Sequence, residues 1–96
     1  MLMGFVYIMA SKPYGTLYTG VTSDLIKRIS EHREGLIPGF TTRYGVKTLV
    51  WSEQHETIEA AIQRETSIKR WPRQWKINLI ERENPYWEDF FPSLLL

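Results

Sequence analysis

Two tyrosines, an arginine, a histidine and a glutamate stand out in this 96-residue chain, because their types could do proton-transfer and anion chemistry. Tyr7 and Tyr18 lie in two runs rich in β-branched and aromatic residues, Phe5 to Ala10 and Thr16 to Val21. Lys12-Pro13-Tyr14-Gly15 between them is turn chemistry, so the pattern predicts a β-hairpin. Cross-strand pairing could then bring both phenols to one face. Packing alone also accounts for strand tyrosines, so the pair decides nothing by itself.

Arg28 and His32 are four apart in the next segment and therefore stack on one helical face, flanking Leu25 and Ile29. Arg28 is always charged and offers a planar fork suited to phosphate, while His32 can exchange a proton near neutral pH. The bland alternatives are a snorkelling arginine and a structural, hydrogen-bonding histidine. Glu65 is the sharpest anomaly. At about 100° per residue, Ile58, Ala61, Ile62 and Ile68 define one helix face and Glu65 falls in its middle, where a hydrophobe is expected. A carboxylate there needs a cation, hydrogen-bond donors or a cleft open to water, and a buried salt bridge would serve as well as a functional site.

Other chemistries find no support in the residues. Gly4, Gly15 and Gly20 fit no dinucleotide or phosphate-loop pattern. His32 and His55 are the two histidines, and neither lies in a recognisable nucleophile context. Cysteine is absent, so a metal would have to be held by oxygen or imidazole ligands.

These residues need elements to position them. Thr22 or Ser23 is expected to cap a first helix with Asp24 in its first turn, Leu25, Ile26 and Ile29 as its apolar stripe and Gly35 at its end. Residues 35–47 hold three glycines and a proline and read as a loop long enough to be functional. Thr48 to Ser52 returns to strand pattern. A second helix is expected from near Thr57 to Trp71, where Pro72 interrupts it, and a third from about Arg73 to Arg82 before Asn84-Pro85. The order β-β-α-β-α-α predicts an α/β (α+β) fold, a small three-stranded and mainly antiparallel sheet flanked by helices. One domain is expected over residues 1–96, with its core at about 4–83 and an aromatic, apolar tail over 84–96 packed on it.

The net charge of +1 conceals an uneven distribution. Arg64, Lys69, Arg70, Arg73 and Lys76 face one acid, Glu65, within residues 64–76, whereas residues 81–96 carry four acids and one arginine. The basic stripe could engage a phosphate backbone, and Trp71 and Trp75 within it could stack on bases or simply pack. Met1 to Ala10 has no basic leader and is too short to span a bilayer, so a soluble, cytoplasmic protein is expected, with no membrane partner.

Phe5-Val6-Tyr7 and Tyr18-Thr19-Gly20, with Arg28 and His32 on the following helix and Glu65 on the next, resemble the GIY-YIG nuclease family in order and spacing. The resemblance covers roughly residues 4–90 and is closest to small stand-alone members, similar to the nuclease domains of the bacterial excision-repair endonuclease and of homing endonucleases. The first tripeptide keeps only its Tyr, and the second has Thr19 where the family has Ile. What the resemblance implies is a DNA-repair type of endonuclease acting on nucleic acid, DNA in preference to RNA. It implies one Mg²⁺ or Mn²⁺ held by Glu65, Arg28 on the phosphoryl oxygens, Tyr18 as general base, Tyr7 as positioning donor, and His32 near water or phosphate. Lys69, Arg70, Arg73, Lys76 and Asn78 are the expected nucleic-acid contacts. Asn78 is the preferred match for the family's late Asn, and Asn84 is the other. A non-catalytic nucleic-acid- or partner-binding module of the same fold is the alternative, and an interaction protein using Tyr86 to Phe91 is a third reading.

Overall fold

A computed structural model describes residues 3–96. Strands β1 (Gly4–Ala10) and β2 (Leu17–Thr22) form the expected hairpin, and β3 (Thr48–His55) pairs with the other edge of β1. The sheet order is β2-β1-β3 and both pairings are antiparallel. Helices α1 (Leu25–Arg33), α3 (Ile58–Lys69) and α4 (Arg73–Glu83) are the expected ones. Two short helices were not expected: α2 (Phe40–Tyr44), inside the glycine-rich loop, and α5 (Phe91–Leu94), in the tail. No helix among the described residues is long and apolar enough to cross a membrane.

As the central strand, β1 is covered on both faces, which is why Val6, Tyr7, Ile8, Met9 and Ala10 are all buried without polar alternation. Val6, Ile8 and Ala10 join Trp51, Ala61, Ile68, Ile77, Ile80 and Trp87 on the side of α3 and α4. Tyr7 and Met9 join Leu25, Ile29, Val46 and Leu49 on the other side, with Phe5, Tyr18, Phe90, Phe91 and Leu94 packed against them. Helix α3 comes very close to β1. A Cβ on Gly4 would lie 2.6 Å from Ala61 Cβ and 3.0 Å from Ile58 Cα, so only glycine lets the helix settle there.

Local chemistry moves some expected boundaries. Thr22 Oγ1 accepts from the Asp24 amide, 3.1 Å, so Asp24 rather than Thr22 or Ser23 is the N-cap of α1 and accepts from Lys27 N. Ile26 is exposed, because α1 turns only Leu25, Ile29 and His32 inward. Ile62 is also exposed, being one residue and about 100° round from buried Ala61. Thr57 caps α3 as its sequence suggested.

The tail is tied to β3 by two polar side chains. Asn84 is buried, donating Nδ2–H to Val50 O (3.0 Å) and Glu88 O (2.9 Å) and accepting from Glu88 N (2.9 Å). Asp89 accepts from Leu49 N (3.1 Å), Phe91 N (3.1 Å) and Arg33 Nη1 (2.6 Å), while the Arg33 guanidinium lies over the Phe91 ring. Asn84→Ala should therefore lower unfolding free energy by about 2–3 kcal/mol, because buried carbonyl and amide groups lose their partners. Urea unfolding with an unchanged m-value checks this. Thr19 Oγ1 is a buried atom without a hydrogen-bond partner. The isosteric Thr19→Val should raise stability by about 1 kcal/mol and the melting temperature by about 4–8 °C; a lowered melting temperature would show that the hydroxyl is satisfied in solution.

Candidate functional site

The hairpin register pairs Tyr7 with Gly20 and Met9 with Tyr18, so the two phenols project diagonally from one face with ring centroids 6.2 Å apart. Gly20 makes this possible. A Cβ there would sit 2.4 Å from Tyr7 Oη, 2.5 Å from its Cζ and 3.0 Å from Tyr18 Cε2, so the Tyr7 ring lies across bare backbone. Helix α1 crosses the same face and drops His32 beside both rings, 5.9 Å from Tyr7 and 5.4 Å from Tyr18 by centroid.

His32 is 1% exposed and both its nitrogens are engaged. Nε2 lies 3.0 Å from Tyr7 Oη and Nδ1 lies 2.9 Å from Thr41 Oγ1, on buried Thr41 of α2. Burial lowers the His32 pKa from 6.5, the nearby Arg28 charge lowers it further, and Glu31 partly opposes them. A neutral imidazole has one N–H, so the three groups form a directed relay. It runs either Tyr7 to His32 to Thr41 or the reverse, and the reverse direction frees the Tyr7 O–H to donate elsewhere. The Tyr7 phenol is itself pushed well above 10, first by burial, then by Tyr18; Arg28 opposes this and Glu65 adds to it. Tyr7 therefore keeps its proton across the physiological range.

Arg28, from α1, and Glu65, from α3, act in opposite senses on the Tyr7 phenol, the first lowering its pKa and the second raising it. Arg28 is half-exposed, with a loose 3.6 Å pairing to Glu31. Glu65 is 13% exposed at its side chain, and Oε2 is 3.1 Å from Lys69 Nζ, one helical turn on. The carboxylate in the apolar face of α3 thus has a salt-bridge partner within its own helix.

The remaining basic residues divide. Lys69 serves Glu65, Arg70 is exposed at the end of α3, and Lys76 is half-buried. Arg73 Nη2 donates to Tyr14 O (2.7 Å) and Gly15 O (2.6 Å), tying α4 to the hairpin turn. Asn78 accepts from Gln74 Nε2 (2.9 Å) and lines a shallow pocket with Trp71, Trp75, Leu79 and Arg82. Asn84 is occupied entirely in holding the tail. Sequence reasoning missed Thr41 and Phe40, whose ring is 6.2 Å from Tyr18. Nothing in a Gly-Phe-Thr-Thr run signals a relay partner, because the contact depends on how a loop returns to α1.

No group of three or more His, Cys, Asp or Glu side chains able to hold a metal exists among the described residues. The donor set is one sheltered carboxylate, Glu65, beside phenols and a guanidinium. That fits a hydrated hard cation such as Mg²⁺, which takes one or two carboxylates and fills its shell with water and phosphate oxygen, and does not fit a transition-metal cage.

Residues 3–78 match the family model described as the GIY-YIG catalytic domain. The chain is 38% identical over 77 residues to a UPF0213 protein of Staphylococcus aureus, covering 80% of this chain and 93% of that one. It is also 38% identical over 76 residues to one from Staphylococcus saprophyticus, covering 79% and 92%. The solution NMR structure of a UPF0213 protein from Bacillus halodurans superposes with a TM-score of 0.56 at 29% identity, covering 91% and 92% of the two chains.

The shifted groups give stability a defined pH dependence. The His32 pKa is lower folded than unfolded, so its contribution is complete above about pH 6.5 and is lost as pH falls toward the folded value. The Tyr7 pKa is higher folded than unfolded, so its contribution is complete below pH 10 and is lost as pH rises toward the folded value. Urea unfolding across the pH range should show stability falling on both sides. In His32→Asn the slope below pH 6.5 should flatten; an unchanged slope would mean that His32 is not buried as a neutral ring.

Proposed function

This chain belongs to the GIY-YIG catalytic-domain family, and on that premise we propose that it is a divalent-metal-dependent endonuclease hydrolysing phosphodiester bonds in nucleic acid, DNA before RNA. The observation that carries this reading is the convergence of Tyr7, Tyr18 and His32 on one face of the hairpin, with the charges of Arg28 and Glu65 acting on Tyr7.

Glu65 is the residue that would hold Mg²⁺ or Mn²⁺. When bound, such an ion neutralises phosphate charge and stabilises the developing charge on the leaving oxygen. Arg28 binds the non-bridging phosphoryl oxygens through its planar fork, and its half-exposed position lets it reach substrate. Tyr7, deeply buried and strongly protonated, acts as a donor whose direction is set by His32 and Thr41. Tyr18, only partly buried, acts as its phenolate: it orients a water for in-line attack on phosphorus and takes that water's proton, becoming the phenol, as the bond to the leaving oxygen breaks; solvent water protonates that oxygen. Lys69 neutralises Glu65 without substrate and can turn to a phosphate when the carboxylate is engaged elsewhere. Lys69, Arg70, Arg73, Lys76 and Asn78 are proposed as flanking contacts, with Arg73 reaching the backbone only by sharing its hairpin bonds.

The Glu65–Lys69 ion pair also supports a second reading, a binding module in which the carboxylate is merely structural. Labelled single-stranded, nicked, branched and duplex DNA, and RNA, incubated with Mg²⁺ or Mn²⁺, separate the two. Glu65→Gln and Arg28→Ala should each reduce cleavage by roughly 10²- to 10³-fold, while Glu65→Gln leaves binding equal or tighter. Tyr18→Phe should lower the cleavage rate by roughly 10²- to 10⁴-fold while leaving binding unchanged. Cleavage by Glu65→Gln at the parental rate would refute the catalytic reading.

A further inference from the structure

Helix α2 puts two large aromatic rings into solvent beside the tyrosine pair. Phe40 is 46% exposed and Tyr44 50% exposed, and their ring centroids are 4.8 Å apart. Phe40 continues directly into the site, because its ring is 6.2 Å from Tyr18, which is 6.2 Å from Tyr7. The four rings thus form a file from the core to the surface. At its outer end the Arg43 guanidinium lies 5.7 Å from the Tyr44 ring.

Isolated exposed apolar side chains are ordinary, but here two touch each other, adjoin the candidate site and carry a cation. The helix that bears them is firmly held. Thr41 is buried against His32, Thr42 Oγ1 donates to Ile37 O at 2.6 Å, Val46 N donates to Thr41 O at 2.9 Å, and Val46 is completely buried. Gly45, at φ 64°, closes the helix in the left-handed region. Phe40 and Tyr44 are therefore presented at little ordering cost, which favours a flat ligand over a surface that must first organise itself.

Resting on the nuclease reading above, we propose that Phe40 and Tyr44 form a stacking platform for an unpaired nucleobase next to the scissile phosphate, with Arg43 on the adjoining backbone. Because the Phe40 ring adjoins Tyr18, a nucleotide next to a phosphate bound at Tyr18 would meet Phe40. A base paired inside a duplex hides its flat face in the stack, whereas an unpaired base offers it. The substrate class is thus a strand with unpaired nucleotides at the cleavage point: a single strand, a flap or a junction between single and double strand.

The test measures binding of the full chain to DNA oligonucleotides carrying 2-aminopurine, in chelator so that no metal-dependent cleavage intervenes. The probes are a single strand, a blunt duplex and the same duplex with a single-stranded flap. The fluorophore should be quenched on binding in the single strand and flap. Phe40→Ala and Tyr44→Ala should each weaken binding to these by roughly 5- to 100-fold and change duplex binding less than twofold. Phe40→Leu keeps apolar bulk without the π face and should lose the quenching; Phe40→Tyr should retain it. Equal losses on all probes, no loss, or full quenching in Phe40→Leu would overturn the platform, and binding without discrimination would assign the exposed rings to a protein partner instead. Because binding is read without metal, a platform that discriminates in a protein that never cuts would sink the nuclease reading and spare this one. Cutting without discrimination would do the reverse, and no binding to any probe at low salt would remove both.

Discussion

The passage of the Tyr7 ring over the backbone at Gly20 is the constraint from which the rest of the site follows. A tyrosine on a central strand would ordinarily lie under a cross-strand neighbour; here that neighbour has no side chain, and a Cβ would come 2.4 Å from the hydroxyl. The phenol can therefore reach His32, the His32 ring can bridge to Thr41, and a loop otherwise free to vary is anchored to the core. One absent methyl group thus sets how closely the phenol lies to the backbone of β2, from where it reaches His32.

The two faces of the sheet do different work. On the face covered by α3 and α4 the packing is almost wholly apolar, with Trp51 and Trp87 supplying bulk that so short a chain needs. The opposite face mixes aliphatic and aromatic packing with the relay, and it is closed by the tail, where Phe90, Phe91 and Leu94 seal what α1 leaves open. Asp89 and Asn84 set that closure by satisfying groups on and around β3. The tail thus shields the cluster that contains Tyr7.

Charge in the site is arranged around a scarcity of carboxylate. Glu65 is the one acid in the apolar face of α3, and it is held by Lys69 from its own helix rather than by a partner across the cleft. Burial, and after it the Arg28 charge, lowers the pKa of His32, and the same cation opposes the burial-driven rise at Tyr7. A buried hydrogen-bonded relay and a half-exposed surface cation, Arg28, thus come from the same helix, α1.

Periodicity and turn chemistry carried much of the architecture. The hairpin, the three longer helices and the return to strand at Thr48 all follow from local runs marked by apolar period or breaker residues. Glu65 was conspicuous because a carboxylate interrupts a helical apolar face, a one-dimensional signal that survives without coordinates. Local pattern failed where neighbours compete. Asp24 won the cap because Thr22 was spent on its amide, and Ile26 and Ile62 went to solvent because burial depends on the angle at which a helix meets the sheet. Phe40 and Thr41 were invisible, and Arg73 and Asn84 turned inward to carbonyls distant in the chain. The sequence by itself determined which segments form strands and helices and which side chains could do chemistry, since those are short-range properties. Only the tertiary structure decided which of those side chains meet, because contacts such as Tyr7 with His32 and Thr41 join positions distant in sequence through the register of one hairpin and the absence of a side chain at Gly20.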